Sequence, residues 1–347
     1  PFYTEDIVYK ALEFVQEIDS DKIVNLSDEL AIRYTDAGHI LLSKQCEVYI
    51  NGSSRTRKIL FSSDLGNIAT QDTRVFVEDF KPVSSANIAI MECTYCSKER
   101  QCTKETYKKD IEKIKSVIEQ YCVDNNARVL IPSFSLDRTP YILWILYSLF
   151  GKDENFKVPI LIDSPLANRL LDCYSSILED DKKELFDQMM SWKNIQRIIH
   201  PEDSKAAIAD KGAKIVLSSS GMLTAGRSIK WTQSILPRES DCILFMGYSG
   251  EDTLAWKIKH GKDNKTININ GKPFKNKAQI YDLKSFSSHM QRQDMINYYK
   301  SINCEKIYLV HGDSNKIEFK HDLEDAISDC LKSIKVIAVN SGTKISL

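Results

Sequence analysis

The sequence predicts a mixed α/β fold in which a parallel-sheet module is inserted into a layered domain. Three observations predict it. Apolar runs and amphipathic stretches alternate through the middle of the chain, Asn-Gly turns join strands on either side, and three apolar runs stop at a histidine or an aspartate. We therefore assign residues 1–100 to the first part of the layered domain, 101–265 to the inserted module and 266–347 to the return to the layered domain.

Length and composition bound the classes of protein to consider. A chain of 347 residues can bury two sizeable cores, and 42% hydrophobic with 27% charged residues is ordinary globular usage. The net charge of -1 excludes a global basic field, so any nucleic-acid binding needs a local groove. No apolar run approaches the ~20 residues of a membrane span. Nine scattered cysteines without a signal peptide predict reduced thiols and a cytoplasmic location.

The first hundred residues open with a predicted amphipathic helix from Glu5 to Ile18, because apolar residues recur there at helical spacing. Four short strands follow, at residues 30–35, 46–50, 58–61 and 86–91. The Asn51-Gly52 turn joins the second and third of these strands as a hairpin. The fourth strand has the continuous apolar pattern of a buried strand and ends at Glu92.

From residue 104 onward, helical and strand patterns alternate. A helix is predicted from Lys104 to Tyr121 and another up to Phe150. Further strands are predicted at 128–131, 158–162, 214–217 and 243–246. Such alternation is typical of a parallel sheet. A second Asn-Gly turn at Asn270 returns the chain to hairpins, and its end repeats strand, histidine, helix and strand up to Lys344.

Three of the predicted strands end at side chains that bind metals. His39, Asp64 and His311 each follow an apolar run by a few residues. Side chains at the carboxyl ends of strands meet in the crevice where ligands bind, and imidazole and carboxylate are zinc ligands. A lone histidine there is more often a structural hydrogen-bonded residue, and Asp64 also suits a turn. The combination of three favours a metal site assembled from loops.

Eight short motifs occur in an order that matches a known family. The motifs are Ala37-Gly38-His39-Ile40-Leu41, Phe61-Ser62-Ser63-Asp64-Leu65-Gly66, Met91-Glu92-Cys93-Thr94-Tyr95, Ile131-Pro132-Ser133-Phe134-Ser135-Leu136-Asp137-Arg138, Asp163-Ser164-Pro165-Leu166-Ala167, Ser219-Ser220-Gly221-Met222-Leu223-Thr224-Ala225-Gly226-Arg227, Ser285-Phe286-Ser287-Ser288-His289 and Leu309-Val310-His311-Gly312-Asp313. In that order they resemble the β-CASP branch of the metallo-β-lactamase fold, which contains RNA-processing nucleases. The resemblance covers nearly the whole chain. It implies a metallo-β-lactamase αββα-type domain, without its amino-terminal part, that carries an inserted β-CASP domain.

The resemblance implies a role for each matched residue of the metal site. His39 resembles a ligand of a first zinc ion, Asp64 the carboxylate that bridges two zinc ions, and His311 a ligand of the second. Glu92 and His289 resemble the family's paired acid and imidazole, with His289 near the leaving-group oxygen. Two cations can clamp a scissile phosphate and generate hydroxide near neutral pH. A histidine held by a carboxylate can protonate the departing oxygen.

Four further residues are predicted to bind substrate phosphates. Ser133, Arg138, Ser220 and Arg227 lie in turns after strands or at helix starts, where N–H groups and guanidinium groups hold phosphates. The alternatives remain open that Ser220 belongs to a flexible loop and that both arginines form surface salt bridges. Asp163 is interpreted as a turn carboxylate or a helix cap. The implied activity is hydrolysis of single-stranded RNA in the cleft between the two domains, with a homodimer possible and no membrane partner.

One motif of the family does not occur in the 347 residues. The metal-binding cluster His-x-His-x-Asp-His is expected upstream of residue 1. The chain is accordingly a fragment or a degenerate relative. The retained ligands favour a fragment, and we expect little or no activity from this chain alone. Cys93 and Cys96 stand where relatives usually carry Ser and Gly. A zinc ribbon is disfavoured because no second Cys-x-x-Cys pair exists.

Two other functions remain alternatives. The chain could be a catalytically inactive homologue that binds RNA or acts as a scaffold in a processing complex. It could also be a hydrolase of a thioester, a lactam or a small phosphodiester, although small substrates do not need a long capped cleft. Few residues follow His311, which predicts the shorter bacterial and archaeal type of nuclease rather than the ribonuclease J group.

Overall fold

A computed structural model describes residues 3–96, 102–261, 265–312, 317–328, 334–339 and 341–344. The chain divides into two compact units. The first unit comprises Pro1–Gly66, Glu78–Glu99 and His289–Leu347, and the second comprises Asn67–Val77 and Arg100–Ser288. Among the described residues, no helix is both long enough and apolar enough to cross a membrane.

The described residues form fifteen strands. They are β1 (Val24–Asn25), β2 (Leu30–Asp36), β3 (Lys44–Asn51), β4 (Thr56–Phe61), β5 (Ile88–Glu92), β6 (Arg128–Pro132), β7 (Ile160–Ile162), β8 (Ile195–Arg197), β9 (Lys214–Ser218), β10 (Cys242–Met246), β11 (Thr266–Ile269), β12 (Lys272–Lys275), β13 (Gln279–Leu283), β14 (Lys306–Val310) and β15 (Lys335–Ala338).

Ten α-helices accompany the strands in the same described part of the chain. They are α1 (Glu5–Leu12), α2 (Lys104–Ile118), α3 (Arg138–Phe150), α4 (Pro165–Ile177), α5 (Asp180–Met190), α6 (Pro201–Ala209), α7 (Arg227–Ile235), α8 (Leu254–Lys259), α9 (Arg292–Ser301) and α10 (Ile317–Ser328). A 3₁₀ segment spans Ile68–Thr73, and a π-helical segment spans Glu119–Asp124.

The first unit is built on a seven-stranded sheet in the order β1-β2-β3-β4-β5-β14-β15. The strands from β1 to β4 pair antiparallel, and β4, β5, β14 and β15 pair parallel. The predicted hairpin of β3 and β4 is confirmed. Ile59, Ile88, Tyr308 and Val339 pack into one apolar cluster across the parallel strands. The carboxyl ends of β4, β5 and β14 therefore lie side by side.

A buried carboxylate ties β2, β3 and β4 together. The Glu47 side chain is fully buried and accepts hydrogen bonds from Arg33 Nε at 2.7 Å and Thr35 Oγ1 at 3.2 Å. Lys58 on β4 forms a further ion pair with it. Burial opposes ionisation, but the hydrogen bonds and charges of Arg33 and Lys58 outweigh it, so the pKa of Glu47 lies below its ordinary value.

This network predicts how acid destabilises the first unit. Because the pKa of Glu47 is depressed on folding, its contribution to stability is fully present above the unfolded pKa of about 4.3 and is lost as the pH falls through the folded pKa. Glu47→Gln should cost about 3 kcal/mol at pH 7, because two cations lose their charged partner. Below pH ~4.3 the free energy of unfolding of the variant should fall less steeply than that of the parent protein.

Urea unfolding measured from pH 7 to pH 3 checks this prediction. Glu29→Gln removes an exposed carboxylate and serves as the matched control. Parallel pH profiles for Glu47→Gln and the parent protein would contradict the role given to Glu47.

The second unit contains a six-stranded, wholly parallel sheet in the order β13-β10-β6-β9-β7-β8. Its central strands β6, β9 and β10 are buried at every residue, as expected when helices cover both faces. Trp231 on α7 belongs to one buried apolar cluster with Leu130, Val216 and Ile243 of these strands. This sheet is the parallel module predicted from the alternation of helices and strands.

The predicted return to the layered domain at residue 266 stays a prediction. The second compact unit extends to Ser288. The physical reason is β13, which pairs parallel with β10 and so completes the six-stranded sheet. The Asn-Gly hairpin of β11 and β12 lies inside the second unit and does not mark a change of domain. The segment Asn67–Val77 also belongs to the second unit.

Three elements have bounds in the structure that differ from those predicted from the sequence. The first helix ends at Leu12 rather than Ile18 and buries no residue, so no packing supports a longer helix. The second ends at Ile118 rather than Tyr121, and the chain continues as the π-helical segment. The strand predicted from residue 158 begins at Ile160, because Pro159 has no N–H to donate to a neighbouring strand.

Candidate metal centre

The predicted metal ligands and the predicted acid Glu92 lie at one edge of the seven-stranded sheet. Asp64 follows β4, Glu92 is the last residue of β5, and His311 follows β14. Because these three strands are parallel neighbours, their carboxyl ends deliver the side chains to the same place. His39 reaches this edge from the loop after β2.

His289 enters the same group from a different part of the chain. A β-bridge pairs it with Gly66, and the N–H of Met290 donates to Leu65 O at 2.8 Å. The ring centroids of His289 and His39 lie 4.4 Å apart. The two backbone contacts thus hold the His289 segment against the turn that carries Asp64.

The Asp64 carboxylate lies between two imidazoles. Its Oδ1 is 3.1 Å from His311 Nδ1, and its Oδ2 is 4.0 Å from His39 Nε2. Asp64 and His311 are partly exposed, whereas His39 is largely covered. The structure therefore brings together the three residues predicted as ligands, with the carboxylate in the central position expected of a bridging group.

The predicted acid–imidazole pair is also formed. Glu92 Oε1 lies 3.3 Å from His289 Nδ1 and accepts from the Leu65 N–H at 2.7 Å. Its Oε2 accepts from the Thr94 N–H at 3.1 Å. Burial alone would raise the pKa of Glu92, but the hydrogen bond and charge of His289, together with the other donors, hold it below its ordinary value. Glu92 can thus orient the His289 ring.

The donor atoms suit a divalent cation. Single ligand atoms from His39, Asp64 and His289 lie within 4.8 Å of one another, and so do those from Asp64, Glu92 and His311. Imidazole nitrogen and carboxylate oxygen are donors that zinc accepts. The first set includes His289, which the sequence analysis assigned to proton transfer rather than to metal binding. Geometry alone allows either role, and the two roles predict different effects of substitution.

Two glycines allow the loops that carry His39 and Asp64 to meet. The N–H of Gly66 donates to Ala37 O at 2.8 Å. A Cβ on Gly66 would lie 1.9 Å from Gly38 O, and Gly38 itself has a positive φ of 71°. Since no side chain fits at this crossing, glycine is required for the turns bearing His39 and Asp64 to approach.

Thr94 is a residue of this site that the sequence analysis did not single out. Its Oγ1 lies 3.2 Å from His311 Nδ1, and its N–H donates a hydrogen bond to Glu92 Oε2. His311 has a positive φ of 56°, a costly backbone conformation for a residue other than glycine. Its position in the sequence could have indicated this role, because Thr94 comes two residues after Glu92 within a motif that matched the family.

This contact gives a prediction for metal affinity. Thr94→Val removes the hydroxyl beside His311 at nearly constant volume, so the affinity for zinc should fall about tenfold, as is typical for groups that orient a metal ligand. Thr94→Ser keeps the hydroxyl and should bind zinc like the parent protein. Chelator-competition titration measures both affinities. Equal zinc affinity for the valine variant and the parent protein would show that Thr94 does not orient His311.

The four predicted phosphate-binding residues lie in the second unit. Ser133 is buried and pairs with the Thr139 hydroxyl, and Arg138 donates to Phe286 O. Ser220 and Arg227 both line one pocket of the second unit, whereas neither Ser133 nor Arg138 is part of its lining.

Asp163 explains the conformation of Arg227. The Asp163 carboxylate is fully buried and pairs with Arg227 at 2.6 Å, as in the salt-bridge alternative left open for this arginine. It also accepts from Ser204 Oγ and from Trp231 Nε1. The helix cap is the neighbouring Ser164, whose hydroxyl accepts from the Ala167 N–H. Asp163 is therefore a buried anchor for Arg227.

Comparison with known proteins identifies the same family. Residues 139–258 match the family model of the Beta-Casp domain, and residues 275–330 match that of the Zn-dependent metallo-hydrolase RNA specificity domain. These matches indicate a metallo-β-lactamase fold with a β-CASP insertion.

Three relatives extend the likeness to nearly the whole chain. A ribonuclease of Thermus thermophilus is 26% identical over 91% of this chain and 70% of its own length. The transcription termination factor FttA of Methanocaldococcus jannaschii is 24% identical over 97% of this chain, and the endoribonuclease YSH1 of Saccharomyces cerevisiae is 27% identical over 90%. The chain spans only 53% and 39% of those two proteins.

The chain belongs to the β-CASP family of metallo-β-lactamase-fold ribonucleases. The family is the one that the eight ordered motifs indicated.

Proposed function

We propose that the chain is the metal-binding and RNA-binding part of a zinc-dependent ribonuclease that hydrolyses phosphodiester bonds of single-stranded RNA. One observation carries the proposal, namely the Asp64 carboxylate between His39 and His311, next to the Glu92–His289 pair. A ribonuclease and an endoribonuclease among the relatives support the substrate class. The RNA specificity domain matched at residues 275–330 supports it as well.

Three residues are assigned to metal binding. His39, Asp64 and His311 would hold zinc, with Asp64 shared between two ions as the resemblance implies. When bound, zinc supplies Lewis-acid stabilisation of the phosphate and a water of lowered pKa. These three residues do not complete two coordination shells, and the cluster His-x-His-x-Asp-His occurs nowhere in the 347 residues. For this reason we predict low activity for this chain by itself.

His289 is assigned to proton transfer. Its Nδ1 faces Glu92, and its Nε2 is the ring nitrogen that we assign to donate a proton to the departing RNA oxygen. Glu92 is buried and fixed by the N–H groups of Leu65 and Thr94, so it holds the imidazole in one orientation. Tyr95 packs edge-on against the His289 ring at 5.5 Å between centroids and further restricts its motion. This pair is the chain's own contribution to general acid catalysis.

Substitution separates the proton donor from the ligands. His289→Ala should slow cleavage of single-stranded RNA by about 10²–10⁴-fold while leaving zinc content nearly unchanged, because a general acid contributes about that much and is not needed to hold the metal. Asp64→Ala should abolish both zinc binding and cleavage, since it removes the shared ligand. Metal analysis and RNA cleavage are measured in parallel, with and without added zinc, on this chain and on a version extended upstream.

His260→Ala provides the matched histidine control. His260 stacks on Trp256 in the second unit and should affect neither measurement. Loss of zinc in His289→Ala would instead make His289 a metal ligand. Robust zinc-dependent cleavage by the unextended chain would contradict the account of incomplete coordination.

The second candidate function is a catalytically inactive homologue that binds RNA or acts as a scaffold. The absence of the His-x-His-x-Asp-His cluster from the 347 residues favours it. Zero bound zinc in the upstream-extended protein would decide for this alternative. The homodimer, the cytoplasmic location and the placement of RNA in a cleft between the domains stay predictions.

A further inference from the structure

Buried side chains of the second unit hold the residue that immediately precedes His289. This residue is Ser288, the last residue of that unit. Its carbonyl oxygen accepts hydrogen bonds from the Asn67 N–H at 2.8 Å and from Arg74 Nη1 at 3.2 Å. Because a carbonyl oxygen has two lone pairs, both donors are accommodated.

The Ser288 side chain is held as well. Its hydroxyl accepts from Arg138 Nη2 at 3.4 Å and donates to Asp137 Oδ2 at 3.2 Å. Asp137 and Ser288 are both buried. Arg138 also donates to Phe286 O, two residues earlier in the same segment. Arg74, Asp137 and Arg138 therefore anchor both the main chain and the side chain of this segment.

The position of Ser288 bears directly on His289. The Ser288 carbonyl and the His289 N–H belong to one planar peptide unit, so an oxygen that is held by two donors fixes the orientation of that plane. Beyond His289, the Met290 N–H donates to Leu65 O at 2.8 Å. The His289 backbone is thus fixed on both sides, and this determines the direction in which the imidazole leaves the chain.

The burial of Arg74 needs a physical reason, because burying a charge opposes folding. Arg74 is 4% exposed, and burial lowers the pKa of its guanidinium, an effect that the charge of Asp137 opposes. The cavity beside these two side chains offers about 10 Å³, room for about one water molecule. A bound ligand therefore does not explain the buried charge. The guanidinium does reach the backbone oxygen of Ser288.

We propose that Arg74 and Asp137 are positioning residues for His289, which act through Ser288 and keep the imidazole aimed at the departing RNA oxygen. The inference rests on the proposed function, because it is proton transfer that requires this alignment. A displacement of about 1 Å at a reacting group can slow an enzyme about 10²-fold. In this role neither side chain contacts the RNA.

The test uses cleavage of single-stranded RNA by the upstream-extended, zinc-loaded protein. Arg74→Met should lower kcat about tenfold and leave KM and zinc content unchanged, because a misaligned proton donor affects the chemical step and not binding. Arg74→Lys keeps a charged donor and should recover part of this loss. Ser288→Ala removes the hydroxyl that Asp137 holds and should lower kcat about fivefold.

A second substitution separates positioning from a general loss of structure. In a His289→Ala background, both Arg74→Met and Ser288→Ala should leave the residual rate unchanged, because the imidazole through which they act is gone. Thermal unfolding verifies that each variant folds, and Ser288→Ala carries the test if Arg74→Met does not. Ser285→Ala is the matched control, since it removes a serine–carboxylate hydrogen bond to Asp110 and should leave kcat unchanged.

Amide hydrogen exchange provides a measurement that does not depend on cleavage. The Asn67 and Met290 amides donate the backbone hydrogen bonds on the two sides of His289. In the zinc-loaded protein without RNA, Arg74→Met should raise the exchange rates of both amides about tenfold, because the segment opens more often. Ser285→Ala should leave both rates unchanged.

Two results would each overturn the proposal. One is a folded Arg74→Met or Ser288→Ala protein whose rate equals that of its parent, or falls equally with and without the His289 imidazole. The other is exchange at Asn67 and Met290 that Arg74→Met leaves unchanged. Failure of the ribonuclease assignment is distinguishable, because the extended parent protein would then cleave no RNA while the difference in exchange would persist.

Discussion

The parallel alignment of β4, β5 and β14 is the constraint on which the metal centre depends. These three strands end together, and the residues at or just beyond their ends are Asp64, Glu92 and His311. The Asp64 carboxylate can lie between two imidazoles only because Gly66 and Gly38 let the neighbouring loops cross without side chains. The buried Glu47 network fastens the antiparallel strands beside this edge. The sheet therefore determines where the residues of the site lie.

The second unit uses the same physical rule in a different way. Its sheet is parallel throughout, so its loops also collect at the carboxyl ends of strands. There the side chains are serines, arginine and lysine rather than histidine and carboxylate.

Much of this arrangement could be predicted from the sequence because its signals are local. A histidine or aspartate just past an apolar run predicts a side chain at a strand end, and His39, Asp64 and His311 were found in this way. The features that the sequence did not predict depend on contacts between residues that lie far apart in the sequence. The pairing of β13 with β10 cannot be read from its residues, so the sequence does not indicate that the second unit extends to Ser288. Thr94 was missed because its significance arises only from a neighbour distant in sequence, His311.

The most direct measurement is zinc-edge X-ray absorption of the zinc-loaded chain. We expect zinc to be coordinated by nitrogen and oxygen only, at about 2.0–2.2 Å, from His39, Asp64 and His311. This shell should be lost in Asp64→Ala. A sulfur shell at about 2.3 Å would place zinc on cysteines such as Cys93 and Cys96 instead, and would contradict the metal centre described for this protein.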